Sequence, residues 1–173
     1  MPSSKRLFIL RHAKSSWDDP GLADHDRPLA PRGRRAVEAI AAHLNAEGIM
    51  PELVLCSSAR RTRETLEGAG VGGEHLIEPD LYGANCQEVL ERLHRVPEEI
   101  GSVMVVGHNP TLQALVLHLA DDDAAINGSY LVEVRRKFPT GALATLTFDG
   151  AWQELSPRSA RLASYVRPKS LAF

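Results

Sequence analysis

Short apolar runs alternate along this chain with longer stretches in which apolar residues recur at helical spacing. Leu7 to Leu10, Leu53 to Leu55 and Val103 to Val106 are too short for buried helices and read as strands, with His75 to Glu78 a further short candidate. Between them, Ala36, Val37, Ile40, Ala41 and Leu44 form one stripe of a helix from about Pro31 to Glu47. Pro31 suits its first turn and Gly48 stops it. Ser57 and Ser58 are N-cap candidates for a second helix that runs through Glu67. Asn85 and Glu88 have the spacing of a capping box ahead of Val89, Leu90 and Leu93. After Val106, Gly107-His108-Asn109-Pro110 turns directly into another helix. Asn109 is its expected N-cap, Pro110 lies in the first turn, and Leu112, Leu115, Val116 and Leu119 form its buried face. Beyond the acidic turn Asp121 to Asp123 the pattern weakens, and only Leu143 to Phe148 and Leu162 to Val166 read as strands. Strands alternating with helices predict an α/β protein: a three-layer α/β/α sandwich with a mostly parallel central sheet.

At 173 residues the chain fits one domain with a sizeable core, so residues 1–173 are expected to fold as a single unit. Net charge is −2, so no field of one sign covers the molecule and a nucleic-acid partner is disfavoured. Cys56 and Cys86 show no metal-ligand spacing and make no disulfide framework; both read as reduced thiols, with Cys56 buried at a strand end. The polar start from Met1 to Arg6 and the short apolar run after it do not make a signal peptide. No stretch approaches the ~18 apolar residues of a membrane span, and a cytoplasmic location is expected.

The candidate chemistry lies at strand ends. Leu7 to Leu10 delivers Arg11-His12 into a charged, proline-bearing loop of about 17 residues, longer than most connections in compact domains. Arginine offers a planar fork of donors that fits phosphate oxygens, and histidine can attack phosphorus at neutral pH and hold the covalent intermediate. The second strand ends in Ser57-Ser58-Ala59-Arg60-Arg61-Thr62-Arg63-Glu64-Thr65, and Val103 to Val106 ends in Gly107-His108. In an open α/β sheet, ligands bind outside the carboxyl ends of the strands, so these three segments are expected to converge. Two of them also open helices, whose N-termini favour anions. Taken singly, each piece has an ordinary explanation: an unremarkable strand end, a solvated helix face, a histidine bonded to a nearby turn. His25, His43, His75, His94 and His118 read as surface or boundary residues. A metal site is the chemical rival, with carboxylates from Asp18, Asp19, Asp24 or Asp26, but arginines beside the histidines would repel a cation.

Arg11-His12 after a strand, the Ser-x-x-x-Arg-x-x-x-Thr pattern from Ser57 through Arg61 to Thr65, and the late Gly107-His108 turn together resemble the histidine phosphatase superfamily. That family includes the cofactor-dependent phosphoglycerate mutases and many phosphatases. The resemblance runs from Leu7 to about Leu119. The short length, the run Arg11-His12-Ala13-Lys14-Ser15-Ser16-Trp17, Asp24-His25-Asp26-Arg27-Pro28-Leu29 and Pro79-Asp80-Leu81-Tyr82-Gly83 resemble its SixA-type phosphohistidine phosphatases. By resemblance, His12 matches the nucleophile, Arg11 its phosphate-binding neighbour, Arg61 (rather than Arg60) the second arginine, and His108 the second active-site histidine. Asp24 and Arg27 match a loop pair near the pocket.

The resemblance implies a phosphoglycerate mutase-like fold and a phosphatase that needs no metal and no cofactor and passes through a phosphohistidine. Larger members carry an acidic general acid in a helical insertion. The corresponding stretch here, Pro79 to Ala84, has no such element and little room for a lid; Asp80 and Glu88 are the nearest acids and neither matches cleanly. That departure favours a leaving group that is easily protonated. A phosphohistidine protein is therefore the expected substrate, a small phosphorylated metabolite the alternative, and a non-catalytic phosphate-binding module the remaining class.

Overall fold

The computed structural model describes residues 4–171. A six-stranded sheet has the order β3-β2-β4-β1-β5-β6, formed by β1 (Lys5–Arg11), β2 (Leu53–Ser57), β3 (Glu74–Glu78), β4 (Ser102–Gly107), β5 (Leu143–Phe148) and β6 (Arg161–Val166). β1 pairs in parallel with β4, and β2 in parallel with both β4 and β3. β5 runs antiparallel to both β1 and β6, so it alone is reversed. The central strands have apolar residues on both faces because both faces are covered. Every residue of β2 and β4 is buried, whereas the edge strand β3 has none buried.

Alternation along β1 divides the core. Phe8 and Leu10 pack with Val37, Ile40, Leu44 and Leu66 from α1 (Pro31–Ala46) and α2 (Arg60–Gly68). Leu7 and Ile9 point the other way, into a cluster with Leu90, Leu93, Leu112, Leu115, Leu131 and Val134. Those residues come from α3 (Cys86–His94), α4 (Thr111–Leu119) and α6 (Tyr130–Arg136). Helices on both faces of the sheet give the expected three layers. Burial of each large side chain from β1 is worth roughly 1.5–3 kcal/mol, so the strand carrying the leading motif is firmly anchored.

Local details refine the sequence expectations. The capping box on α3 forms as anticipated, with Asn85 accepting from the Glu88 N–H at 2.8 Å and Glu88 accepting from the Asn85 N–H at 3.1 Å. The second helix is capped by neither Ser57 nor Ser58. Its N-cap is Ala59, without a side-chain cap, because Ser57 still belongs to β2. The fourth helix begins at Thr111 rather than Pro110, although Asn109 Oδ1 still accepts from the Gln113 N–H at 3.1 Å. α5 (Ala124–Asn127) and α6 fill the stretch where periodicity was weak. Cys56 is fully buried, and burial pushes its thiol up to about 12, so it is an inert core residue.

Two glycines place the loops around the end of β1. Gly33, in the first turn of α1, lies so close to the chain after His12 that a Cβ would sit 2.1 Å from the Lys14 carbonyl oxygen. Gly141 has φ +78° and turns its N–H to the carbonyls of Arg11 and His12 at 3.1 and 2.9 Å.

Candidate active site

β2, β4 and β1 are neighbours, so their carboxyl ends lie side by side and bring Ser57, His108 and His12 together. His12 follows β1 directly. Its backbone N–H donates to the Gly107 carbonyl at 3.1 Å, and the next N–H, of Ala13, donates to Thr65 Oγ1 at 3.0 Å. Thr65 in turn donates to the Arg61 carbonyl at 2.7 Å, which ties the loop after β1 to α2.

The His12 ring is buried, and its Nδ1 lies 2.7 Å from the Ala13 carbonyl. A carbonyl only accepts, so Nδ1 carries the proton and Nε2 holds a free electron pair. Burial is the largest influence on this ring and pushes its pKa down to about 3; the neighbouring His108, Arg61 and Arg11 add to the depression. The ring is therefore neutral across the physiological range. His108 is driven down to about 4, first by burial and then by Arg61. Its Nε2 lies 2.8 Å from Ser57 Oγ, and the two imidazoles stand with centroids 5.3 Å apart.

The arginines are fixed in different ways. Arg11 Nη1 donates to the Phe138 carbonyl at 3.1 Å, and Asn109 Nδ2 donates to the same oxygen at 2.9 Å. Thus the poorly legible stretch around α6 supplies the group that aims Arg11. Arg61 is buried, with Nη1 on the Asp24 carbonyl at 2.8 Å and Nη2 on Asp24 Oδ2 at 3.1 Å. Arg60, one position earlier, is exposed and pairs with Glu64 at 3.2 Å. Arg27 is buried between Asp24 Oδ1 at 3.3 Å, Ser15 Oγ at 2.8 Å and the face of Trp17, 3.4 Å from its guanidinium carbon. Asp24 thus spans two arginines. The Tyr82 hydroxyl also donates to it, at 2.6 Å, and is the first of the influences that hold its carboxyl below the usual range.

Several buried nitrogens here have no hydrogen-bond partner among the described residues: the donors Arg11 Nε, Arg61 Nε and Arg27 Nη1, and His108 Nδ1, whose role its tautomer sets. Leaving such a group unpaired costs about 1–3 kcal/mol, so a cluster of them beside a neutral imidazole can receive a multivalent acceptor such as a phosphoryl group. Among the described residues, no three His, Cys, Asp or Glu side chains converge to hold a metal ion.

Two residues escaped the sequence reading. Tyr82 stands edge-on to His108 at 5.6 Å and bonds Asp24. His25, read as a boundary residue, meets Tyr82 edge-on at 4.8 Å and bonds Ser58 Oγ at 2.9 Å, so it belongs to the rim of the site. Their motifs were visible, but no spacing rule joins residues some sixty positions apart. Glu88 is committed to the α3 cap, and Asp80 is exposed on a short turn with no hydrogen bond to a site residue among those described.

Residues 7–88 match the histidine phosphatase superfamily, branch 1. An uncharacterized protein of Mycobacterium tuberculosis is 39% identical over 163 residues, which cover 92% of this chain and 100% of the relative. A Nakamurella multipartitia structure, proposed to be the phosphohistidine phosphatase SixA, superposes with TM-score 0.85 at 32% identity over 97% of this chain and 99% of its own. A structure of the same proposed identity from Agrobacterium tumefaciens gives TM-score 0.77 at 31% identity, with the same coverage of both chains.

Proposed function

This chain belongs to the histidine phosphatase superfamily, in its SixA branch, and from that premise we propose that it dephosphorylates phosphohistidine proteins through a phosphohistidine on His12. The observation that carries the proposal is the neutral His12 ring, pinned through Nδ1–H to the Ala13 carbonyl, with Arg11, Arg61 and His108 around it. In this reading Nε2 attacks phosphorus in line and the P–N bond to the substrate histidine breaks. Arg11 and Arg61 bind the equatorial oxygens and take up charge in the transition state. If the Ser57 hydroxyl donates to His108 Nε2, then His108 Nδ1–H is the free donor toward phosphate. Asp24 holds Arg61 in place through its carbonyl and carboxylate, and Arg27, paired with the same carboxylate, flanks the pocket with Nη1 free among the described residues. Water then hydrolyses phospho-His12 and releases inorganic phosphate. The chemistry asks nothing of a metal or cofactor.

The choice of leaving group rests on what surrounds it. Asp24 is held as a carboxylate by two donors, Arg61 and the Tyr82 hydroxyl, and by the nearby charge of Arg27; Glu88 is a cap and Asp80 is not joined to the pocket, so among the described residues no placed acid stands ready for an alkoxide. General acid help is typically worth ~10²–10⁴-fold, and a phosphohistidine needs it least, because its second ring nitrogen is readily protonated and a neutral imidazole then leaves. One feature favours the metabolite alternative: a chamber of about 190 Å³ beside His108, lined by Leu81, Val89 and Leu112, which suits a small apolar leaving group. The deciding experiment compares phosphate release from a phosphohistidine protein and from a panel of sugar phosphates at matched enzyme concentration. The proposal expects kcat/KM for the phosphohistidine protein to exceed that for every sugar phosphate. A sugar phosphate turned over faster would transfer the assignment to the metabolite reading.

A further inference from the structure

A second concave surface lies against the back of the nucleophile loop. It is a groove of about 890 Å³ lined by Lys14, Arg32, Arg35, Lys137, Arg167 and Lys169, with no acidic residue among the described residues that line it. Lys14 is two residues beyond His12, and Lys137 precedes Phe138, whose carbonyl aims Arg11. Thr140, also in the lining, precedes the Gly141 whose N–H holds the His12 carbonyl. Thus the groove and the phosphate pocket share the same backbone.

Concentrating these cations runs against local preference. The chain carries 22 acidic against 20 basic residues, yet none of the six is in an ion pair among the described residues. The placement on α1 is the sharper anomaly. The first turn of a helix favours acidic side chains, yet α1 opens with Pro31-Arg32-Gly33-Arg34-Arg35 and has no acid there. Local rules broken without a local gain mark function more often than stability.

We infer that this groove docks an acidic segment of the protein that presents its phosphohistidine to His12. The inference rests on the phosphohistidine reading above and adds the chemistry of the partner. Charge complementarity selects the class of occupant. The Lys and Arg side chains on α1 and at Lys137 and Lys169 are long, exposed and flexible, and no buried polar group frames a compact anion. Such a surface reads a row of carboxylates spread over several residues, and steers their approach through a field that extends about a Debye length, ~10 Å at 0.1 M salt.

Two phosphohistidine peptides test this, one flanked by Glu and Asp and the other by Gln and Asn at the same positions, with their unphosphorylated forms as fluorescent binding probes. Wild-type enzyme should hydrolyse the acidic peptide about tenfold faster in kcat/KM at low salt, and the preference should shrink as salt rises. Replacing Arg32, Arg35 and Lys169 by Gln, and in a second variant by Glu, should abolish the preference while hydrolysis of an aryl phosphate stays within about twofold, which also reports an intact fold. Hydrolysis of both peptides at equal rates would overturn the docking groove and leave the phosphohistidine reading standing. If neither peptide is hydrolysed but the unphosphorylated acidic probe binds wild type and not the variants, the groove stands and the substrate reading falls. If tripolyphosphate displaces the probe and itself binds more tightly, the occupant is a compact polyanion and the peptide assignment is overturned.

Discussion

Two sets of cations meet at the same end of the sheet and are held in opposite ways. In the pocket, Arg61 and Arg27 are buried, and one carboxylate, Asp24, spans both of them. In the groove, Arg32, Arg35 and Lys169 are exposed and unpaired among the described residues. A buried guanidinium without its partner would carry a desolvation penalty of several kcal/mol, so Asp24 fixes the two pocket arginines before any ligand arrives. A solvated lysine incurs no such penalty and keeps its rotamer freedom. The first arrangement suits a transition state, where geometry decides rate. The second suits encounter, where the field matters more than position.

That contrast fails first if His12 is not the group the pocket serves. Replacing His12 by Ala should cost at least about 10³-fold in kcat with the fold retained, because the covalent route is closed. Near-wild-type turnover by that variant, measured as phosphate release, would remove the mechanism altogether.

The arginines give the next largest effect. Arg61→Ala should lower kcat/KM by roughly a hundredfold or more, equivalent to about 3 kcal/mol of lost transition-state stabilisation. Arg60→Ala should cost only a few tenths of a kcal/mol, since that side chain makes an exposed i,i+4 pair with Glu64. Arg61→Lys should retain activity only in part, because an ammonium cannot reproduce the planar fork that bonds Asp24 through two nitrogens and leaves Nε free among the described residues. Equal losses from the two alanine variants would mean that burial on α2 does not separate catalytic from surface arginines.

Acid should also separate the two regions. His12 and His108 have folded pKa values near 3 and 4, below the unfolded value of about 6.5. The unfolded chain therefore binds protons that the folded chain refuses, and stability falls as pH drops from about 6.5 toward those folded values. At pH 5 each ring should cost roughly 2 kcal/mol relative to neutral pH. Denaturant midpoints at pH 7 and pH 5 check this, and His12→Asn should shrink the difference. No change in acid sensitivity would show that the ring is solvated rather than buried.

Most of this arrangement was legible in the sequence, for an identifiable reason. β1, β2 and β4 are buried on both faces, so their apolar runs stand out, and topology alone then brings their ends together. The family resemblance placed His12, Arg11, Arg61, His108, Asp24 and Arg27, and the fold gathers all of them at one end of the sheet. What stayed hidden depends on contacts across the sequence. α5 has four residues and α6 seven, too short to show a period, yet the chain after α6 provides the Phe138 carbonyl that aims Arg11. Tyr82 and His25 reach the site through side chains packed against each other, which no spacing rule records. The basic groove draws on four separate stretches of chain and was invisible against a net charge near zero.

The smallest expected loss at a pocket residue is also the most specific probe of the contrast, because it makes pocket arginines resemble groove arginines. Asp24→Asn removes the charge that spans Arg61 and Arg27 but leaves the backbone carbonyl on Arg61 Nη1 and an oxygen for the Tyr82 hydroxyl. Arg61 should then be held less firmly while the pocket as a whole becomes more positive. The first change lowers kcat, by about tenfold or 1.4 kcal/mol. The second favours ground-state binding of phosphate, so KM should stay level or fall. A general acid would leave a different signature: its loss should spare activated aryl phosphates and fall hardest on poor leaving groups. A positioning carboxylate acts through Arg61 on the phosphoryl oxygens, which every substrate shares, so the kcat loss should be uniform across leaving groups. Measuring kcat and KM for a graded series of aryl phosphates distinguishes the two. A loss that steepens with leaving-group basicity would make Asp24 the acid and return alkyl phosphates to the list of good substrates.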